Sequence, residues 1–496
     1  MDSFQHTKDG KSSAFGKRLI LILASELLGK GCGLGELELS GISCDSRKTK
    51  PGDLFIAVKG TEDDGHRYIQ AAVERGAAAV VLERAMECSV PVLVVPDTRK
   101  ALADIAAKFY GTPAEKLRLV GVTGTNGKTT VTYLIKSILE AAGETVGLIG
   151  TNEILAGQEP VNIRSTTPTT PDSAELQQIF ARFVERGIGY AVMEVSSHAL
   201  ALDRVRGCTF DAGVFTNLTQ DHLDFHKTME QYLAAKSKLF DISKTGVINI
   251  DDAAGRSIAK TASCRVVTVG LHDADIRAKH IQLLERGVQF AAEAHQKTMQ
   301  IQLAIPGKFS VYNALCAIGA CDALGISQGD IVRGLAQAKG VRGRVELVPT
   351  NTDYTVIIDY AHSPDGLEKI LHTVRGFARG RVITLFGCGG DRDRTKRPIM
   401  GNIAGRLSDF TIVTSDNPRT EDPMRIIADI EAGIRKTGGE YVVIGDRREA
   451  IAQALKLARK DDVVLLAGKG QETYQIIGKE KLDFDEREVV KEILAK

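Results

Sequence analysis

Gly121-Val122-Thr123-Gly124-Thr125-Asn126-Gly127-Lys128-Thr129-Thr130 is the stretch on which the reading of this chain turns. The apolar run Leu117 to Val122 precedes its glycines and the helix-like segment Thr132 to Ala142 follows them, so the turn sits where a strand gives way to a helix. Backbone N–H groups in such a turn attract phosphate oxygens, Lys128 can reach the β- and γ-phosphates, and the Thr129 hydroxyl can hold Mg²⁺. The spacing is unusual. The common pattern places a glycine five residues before Gly127, where Val122 stands. The alternative is a tight turn that happens to carry Gly-Lys-Thr.

Outward from this loop the pattern is α/β. On its C-terminal side the apolar runs Thr145 to Ile149, Tyr190 to Val195, Ala212 to Thr216 and Gly246 to Ile250 have buried-strand length and alternate with helical segments, which implies a parallel sheet. Val288 to Ile305 alternates apolar and polar residues and predicts an antiparallel ribbon added to that sheet, followed by a helix from Ser310 to Leu324. On the N-terminal side, turns and short strands (Leu54 to Val58, Ala77 to Leu82, Val90 to Val95) form a first α/β domain after a loose tail of about fifteen residues. A further set of strands, at Thr355 to Asp359, Val382 to Phe386, Phe410 to Thr414, Glu440 to Ile444 and Val463 to Ala467, forms a third. The expected domains are 1–96, 97–345 and 346–496. No Gly-x-Gly-x-x-Gly opens the third, so nothing there calls for a dinucleotide.

Four other places carry candidate chemistry. Glu194 ends the strand Tyr190-Ala191-Val192-Met193-Glu194; a carboxylate there is a magnesium ligand, a catalytic base or an ordinary strand-end residue. Asn217 to His226 packs Asp221, His222, Asp224 and His226 into six residues, a set suited to Mg²⁺ more than to zinc, or a solvated polar loop. Lys236 lies on a helix among apolar neighbours, and its local sequence marks it as no more than a surface lysine. Asp416-Asn417-Pro418-Arg419 follows a strand and places a carboxylate, an amide and a guanidinium in one loop. That set fits a zwitterionic or dicarboxylic ligand, or else an Asn-Pro turn with solvated charges.

Composition narrows the partners. At 496 residues the chain exceeds one core. Its 64 basic and 63 acidic residues leave a formal net charge of +1, so no basic field is present to hold nucleic acid. The eight cysteines are scattered with no zinc spacing, and are expected to be reduced and mostly buried. The apolar stretch Leu19 to Leu28 is short and contains Ser25 and Glu26, with no cleavage site after it, so a cytoplasmic protein without membrane insertion is expected.

Taken in order, GTNGKTT, STTPTTPD, MEVSSHAL, QDHLDFH, the AAK helix, DYAHSPDGLE, GGDRDRTKRP and DNPR resemble the Mur ligases of peptidoglycan synthesis, from Asp45-Ser46-Arg47 to Gly468-Lys469-Gly470-Gln471-Glu472. Within that family the likeness is to members that add 2,6-diaminopimelate. It implies a central phosphate-loop ATPase-like domain, flanked by an N-terminal nucleotide-sugar-binding α/β domain and a C-terminal Rossmann-like α/β domain. It also implies ATP-driven amide formation through an acyl phosphate, and a monomer acting on a UDP-N-acetylmuramoyl dipeptide and meso-diaminopimelate.

By the same resemblance, Gly124, Thr125, Asn126, Gly127, Lys128, Thr129, Thr130, Asn313, Arg344 and Asp359 would bind ATP, and Thr129, Glu194 and His222 would bind Mg²⁺. Ser46, Thr61, Glu62, Asp63, Thr166, Thr167, Ser196 and Arg204 would bind the uridine-linked substrate. Arg392, Asp416, Asn417, Pro418, Arg419, Gly468 and Glu472 would bind the amino acid. Lys236 matches a position that the family carbamylates, which would turn an ammonium into an anionic metal ligand beside Lys128, Glu194 and His222 in the catalytic set. Leu202 departs from relatives that carry Gln there. The competing readings are a lysine-adding relative, a folylpolyglutamate-synthetase-like ligase and a phosphate-loop ATPase switch.

Overall fold

The computed structural model describes residues 21–29, 31–60, 63–161, 163, 167 and 169–495, with the side chain of Asp224 left aside. The expected N-terminal tail and the site candidates Thr61, Glu62 and Thr166 lie outside the described residues. The chain divides into two compact units, Met1–Pro113 and Ala114–Lys496.

In the first unit the strands Gly41–Ser43, Asp53–Ile56, Ala79–Leu82 and Val92–Val94 form a four-stranded parallel sheet in sequence order. Phe55, Val80 and Leu82 pack with Ile69 and Ala72 of the helix Ile69–Glu74. The helix Thr98–Phe109 also belongs to this unit, and Asp97 caps it by accepting from the amides of Arg99 and Lys100.

The second unit holds two large sheets. The first has eleven strands in the order Glu159–Pro160, Ile154–Ala156, Val146–Ile149, Tyr190–Glu194, Arg118–Thr123, Phe210–Phe215, Ser243–Asn249, Arg265–Gly270, Ile276–Leu284, Gly287–Ala294 and Lys297–Leu303. From Val146–Ile149 to Ile276–Leu284 the pairing is parallel; both edges are antiparallel. Alternate residues of the strand Arg118–Thr123 feed opposite faces: Val120 and Val122 pack with the helix Lys128–Ala141, and Leu119 packs with Phe180 and Phe183 of the helix Ser173–Glu185. Burial on both faces explains why these strands read as unbroken apolar runs.

The second sheet runs Glu346–Leu347, Thr355–Asp359, Val463–Ala467, Val382–Phe386, Phe410–Val413 and Tyr441–Val443, parallel except at its first edge. Its Thr355–Asp359, Val382–Phe386 and Val463–Ala467 strands have the bounds expected from sequence. A hairpin, Tyr474–Ile477 with Glu480–Asp483, and the helix Glu486–Leu494 close the chain.

The α/β class and the appended antiparallel ribbon are as expected, with three differences. The ribbon has a third strand, Ile276–Leu284, whose polar, interrupted sequence concealed it, and the short valine run of Arg265–Gly270 joins the parallel part. The helix after the phosphate loop begins at Lys128 rather than Thr132, because Gly127 adopts a left-handed φ of 88° and turns the chain directly into it. Among the cysteines, Cys208, Cys316, Cys321 and Cys388 are buried, Cys44 is exposed and the other three are half-buried; none forms a disulfide. Among the described residues no helix is long and apolar enough to cross a membrane.

Candidate active site

The phosphate loop leaves the carboxyl end of Arg118–Thr123, the strand between Tyr190–Glu194 and Phe210–Phe215. The two neighbouring strands therefore deliver Glu194 and Thr216-Asn217 to its sides, the position where open α/β sheets present ligand sites. Gly124 has φ of 149°, and a Cβ there would lie 1.9 Å from Thr216 Oγ1, so only glycine fits. The loop is held from the flanking strand. Thr125 N donates to the Asn217 carbonyl at 2.9 Å, Asn126 N to Asn217 Oδ1 at 3.0 Å, and Thr216 Oγ1 to the Asn126 carbonyl at 2.6 Å.

Lys128 Nζ donates to the Gly124 and Thr125 carbonyl oxygens at 3.0 and 2.9 Å. Burial lowers its pKa, and the nearby charges of Glu194 and Asp221 act against that shift. Lys236, on the helix Met229–Asp241, is 1% exposed rather than the surface lysine its local sequence suggested. Its Nζ reaches Gly124 O at 2.8 Å and lies 4.5 Å from the centre of the Tyr232 ring. Burial, then the charge of Lys128, pushes its pKa well below that of a free lysine.

Glu194 is 1% exposed and accepts from Thr129 Oγ1 at 2.9 Å, Thr151 N at 2.9 Å and Thr151 Oγ1 at 3.2 Å. A hydroxyl and a carboxylate side by side are the hard oxygen donors that Mg²⁺ accepts, so this pair fits the ion by donor chemistry. His222 is set differently. It has a left-handed φ of 53°, its side chain is about half exposed, and its ring stands edge-on to His198 at 4.9 Å. Among the described residues no three His, Cys, Asp or Glu side chains form a metal cluster.

Asn313, on the helix Lys308–Ala323, presses against the loop: a Cβ on Gly127 would come within 2.5 Å of Asn313 Oδ1. Beside it lies a cavity of about 250 Å³ lined by Thr216, Asn217, Asn249, Asp251, Asp252, Phe309, Tyr312, Asn313 and Cys316. Tyr312 Oη donates to Asp251 Oδ2 at 3.0 Å. Asn249, Asp251 and Tyr312 carried no expectation from the sequence, although Asn249 ends a strand and Ile250-Asp251-Asp252 follow it, a polar strand end like that at Glu194. Arg344 lies over the Tyr360 ring at 5.2 Å, and Asp359 accepts from Val345 N and Ala361 N at 2.8 and 2.9 Å, with its pKa raised by burial.

The substrate candidates Thr167, Ser196 and Arg204 gather around Thr170. Thr167 Oγ1 and Arg204 Nη1 donate to the Thr170 carbonyl at 2.8 and 3.2 Å, and Thr170 Oγ1 lies 3.3 Å from Ser196 Oγ. Leu202 caps the C-terminus of the short helix Ser197–Ala201. In the first unit Ser46 is buried, and Asp63 accepts from Tyr68 Oη at 2.5 Å, which lowers its pKa.

The amino-acid candidates lie at the carboxyl end of the six-stranded sheet. Asn417 Nδ2 donates to Glu472 Oε2 at 2.9 Å, and a Cβ on Gly468 would stand 2.7 Å from Asp416 Oδ2, so these two loops touch. Between them lies Lys469, 0% exposed, with Nζ 3.1 Å from Glu472 Oε2, 3.2 Å from Asn417 Oδ1 and 3.7 Å from Asp416 Oδ1. Lys469 belongs to the Gly468–Glu472 motif of the resemblance, and nothing in its sequence marked it for a role. Arg419 Nη1 donates to Gly390 O at 2.8 Å, while Arg392 is exposed and donates to Asp391 O. Pro418 is buried against Gly390, where a Cβ would come 1.9 Å from the Pro418 carbonyl.

Three family descriptions match in order: "Mur ligase family, catalytic domain" at residues 38–110, "Mur ligase middle domain" at 122–321 and "Mur ligase, glutamate ligase domain" at 343–470. A protein of Caldanaerobacter subterraneus subsp. tengcongensis, named UDP-N-acetylmuramoyl-L-alanyl-D-glutamate--2,6-diaminopimelate ligase, is 52% identical over 92% of this chain and 95% of its own length. A Clostridium acetobutylicum ligase of that name, numbered 1, is 47% identical over 96% and 98%. A solved structure of a ligase with the same name aligns with a TM-score of 0.74 at 31% identity, covering 96% of this chain and 99% of that one. The chain belongs to the Mur ligase family.

Proposed function

We propose that this protein is an ATP-dependent amide ligase that adds meso-diaminopimelate to UDP-N-acetylmuramoyl-L-alanyl-D-glutamate in peptidoglycan precursor synthesis. One observation carries the reading: a relative named for that reaction is 52% identical across 92% of the chain. The D-glutamyl side-chain carboxylate attacks the γ-phosphorus of ATP, forming an acyl phosphate and releasing ADP. The amine of diaminopimelate then attacks the acyl carbon, phosphate leaves, and the amine gives up a proton as the amide forms.

In this reading the loop 124–130 cradles the phosphates and Lys128 meets the charge that develops on the transferred group. The cavity beside Asn313 takes the nucleoside end of ATP, with Arg344 and Asp359 as further nucleotide contacts. Thr129 and Glu194, with His222 and a carbamate on Lys236, would hold Mg²⁺, which would supply charge neutralisation to the phosphates. Ser46, Thr61, Glu62 and Asp63 take the uridine nucleotide, and Thr166, Thr167, Ser196 and Arg204 the muramoyl dipeptide. Arg392, Asp416, Asn417, Pro418, Arg419, Gly468 and Glu472 take the amino acid. The domains 1–96, 97–345 and 346–496 share this work in a cytoplasmic monomer.

The test is to supply ATP, Mg²⁺ and the uridine-linked dipeptide, offer diaminopimelate, lysine and glutamate separately, and weigh the products. A product carrying diaminopimelate supports the reading. Equal use of lysine would make the protein a lysine-adding relative, and ATP turnover indifferent to any acceptor would make it a switch.

A further inference from the structure

Arg447 and Glu486 form an ion pair from which water is excluded. Both side chains are 0% exposed, and Arg447 Nη2 and Nε stand 2.8 and 2.9 Å from the same oxygen, Glu486 Oε1. Glu486 Oε2 is buried without a hydrogen-bond partner. Taking two charges out of water is costly, and well-packed apolar residues in place of such a pair often leave a protein equally or more stable. Stability alone is a weak reason for the pair.

The other contacts of the guanidinium point to a different task. Arg447 Nη1 donates to the Ser415 carbonyl at 3.3 Å and Nη2 to the Ala467 carbonyl at 3.0 Å. Ser415 immediately precedes Asp416, and Ala467 immediately precedes Gly468. The strands that lead to these loops, Phe410–Val413 and Val463–Ala467, are not neighbours: Val382–Phe386 lies between them and pairs with both. The guanidinium therefore spans a strand and ties together two loops that share no ladder. Its planar fork of donors suits that work, which a lysine ammonium could not reproduce.

Glu486 opens the helix Glu486–Leu494, and the start of that helix has further ties. Asp485 pairs with Arg342 at 2.5 Å, and Arg487 pairs with Glu346 and donates to the Gly470 carbonyl at 2.8 Å. Residues 485–487 thus hold the stretch 342–346, the 468–472 loop and, through Arg447, the 416–419 loop.

We infer that Arg447, held by Glu486, is a positioning residue that sets the spacing of the 416–419 and 468–472 loops and thereby the fit of the acceptor amino acid. The inference rests on the proposed role of those loops. The test is the apolar double variant Arg447→Met/Glu486→Leu, with Arg447→Lys and Glu486→Gln beside it. Amide hydrogen exchange is read at residues 415–419 and 467–472, and KM is read for diaminopimelate and for ATP. In the double variant, with a melting transition like that of the wild type, exchange in both loops rises about tenfold or more. KM for diaminopimelate rises roughly 10- to 100-fold, the scale of a displacement of about 1 Å, while KM for ATP stays put. Arg447→Lys does not rescue the fit. If the double variant does not fold, Glu486→Gln carries the same readings. Unchanged exchange in both loops of a folded variant, or an unchanged KM for diaminopimelate, overturns the inference. A wild type without diaminopimelate-dependent turnover removes the functional reading, and the exchange data still judge the positioning.

Discussion

Lys128 and Lys236 donate to the same atom, the Gly124 carbonyl oxygen, at 3.0 and 2.8 Å. Two ammonium groups on one acceptor repel, and burial pushes the pKa of each down. The lowered pKa makes the neutral amine, the form that adds carbon dioxide, easier to reach at Lys236: the nitrogen would bond to carbon, one proton would leave, and the repulsive pair would become an attractive one. We expect intact-protein mass spectra in bicarbonate to show an increase of one carbon dioxide, lost on acidification. Lys236→Ala should be inactive and partly restored by a short-chain carboxylate. Full activity of an unmodified Lys236 in bicarbonate-free buffer would remove the carbamate.

Lys128→Ala should lower turnover by about 100-fold or more, the scale seen when one preorganised donor to a developing charge is lost. Single-turnover measurement of ADP release checks it. Near-normal turnover would take the phosphate-loop assignment away.

In the role proposed for it, Arg419 would separate meso-diaminopimelate from lysine, which lacks the far carboxylate. Its guanidinium already has one partner in the Gly390 carbonyl and retains further donors for a second. Truncating one member of a desolvated charge pair costs about 2–5 kcal/mol, so Arg419→Ala should weaken diaminopimelate by roughly 30-fold or more. ATP binding should be untouched, and Arg419→Lys should restore little because the bidentate fork is gone. Competition assays with the two amino acids decide this, and a wild type that adds both equally well contradicts it.

Glu421 supplies a pH prediction. A hydrogen bond from the buried Arg397 holds its carboxyl down to about 2, with Nη2 2.9 Å from Oε1. A carboxylate depressed in the folded state adds stability above its unfolded pKa of about 4.3, and that contribution is lost as pH falls toward about 2. Melting temperatures recorded between those limits should fall more steeply for the wild type than for Glu421→Gln. Because the same carboxylate accepts from Asp391 N at 2.6 Å, the variant should also loosen the turn that carries Arg392. Parallel melting curves would refute the assignment.

What could be read from the sequence was local. The glycine turn, the strand end at Glu194 and the Asp416–Arg419 loop each announce themselves by residues adjacent in the chain, and the apolar runs of the third set of strands locate that sheet. What escaped was long-range. Lys469 looks like part of a glycine turn until Asp416 and Glu472 close on it, and Arg447 looks like one more surface arginine until Glu486, 39 residues later, meets it in the core. Lys236 shows the same limit: its neighbours along the helix do not reveal the carbonyl of Gly124, 112 residues earlier.

The contact between Asp416 and the glycine at 468 has an evolutionary side. The residues proposed to choose the amino acid hang from strand ends of one sheet, and those proposed to handle phosphate hang from the other. A lineage could therefore exchange its acceptor loops, and with them the chemistry of its cell-wall cross-links, while inheriting the energy-coupling sheet unaltered. Such an exchange would have to bring both loops together, because a side chain larger than hydrogen at position 468 would strike the carboxylate opposite.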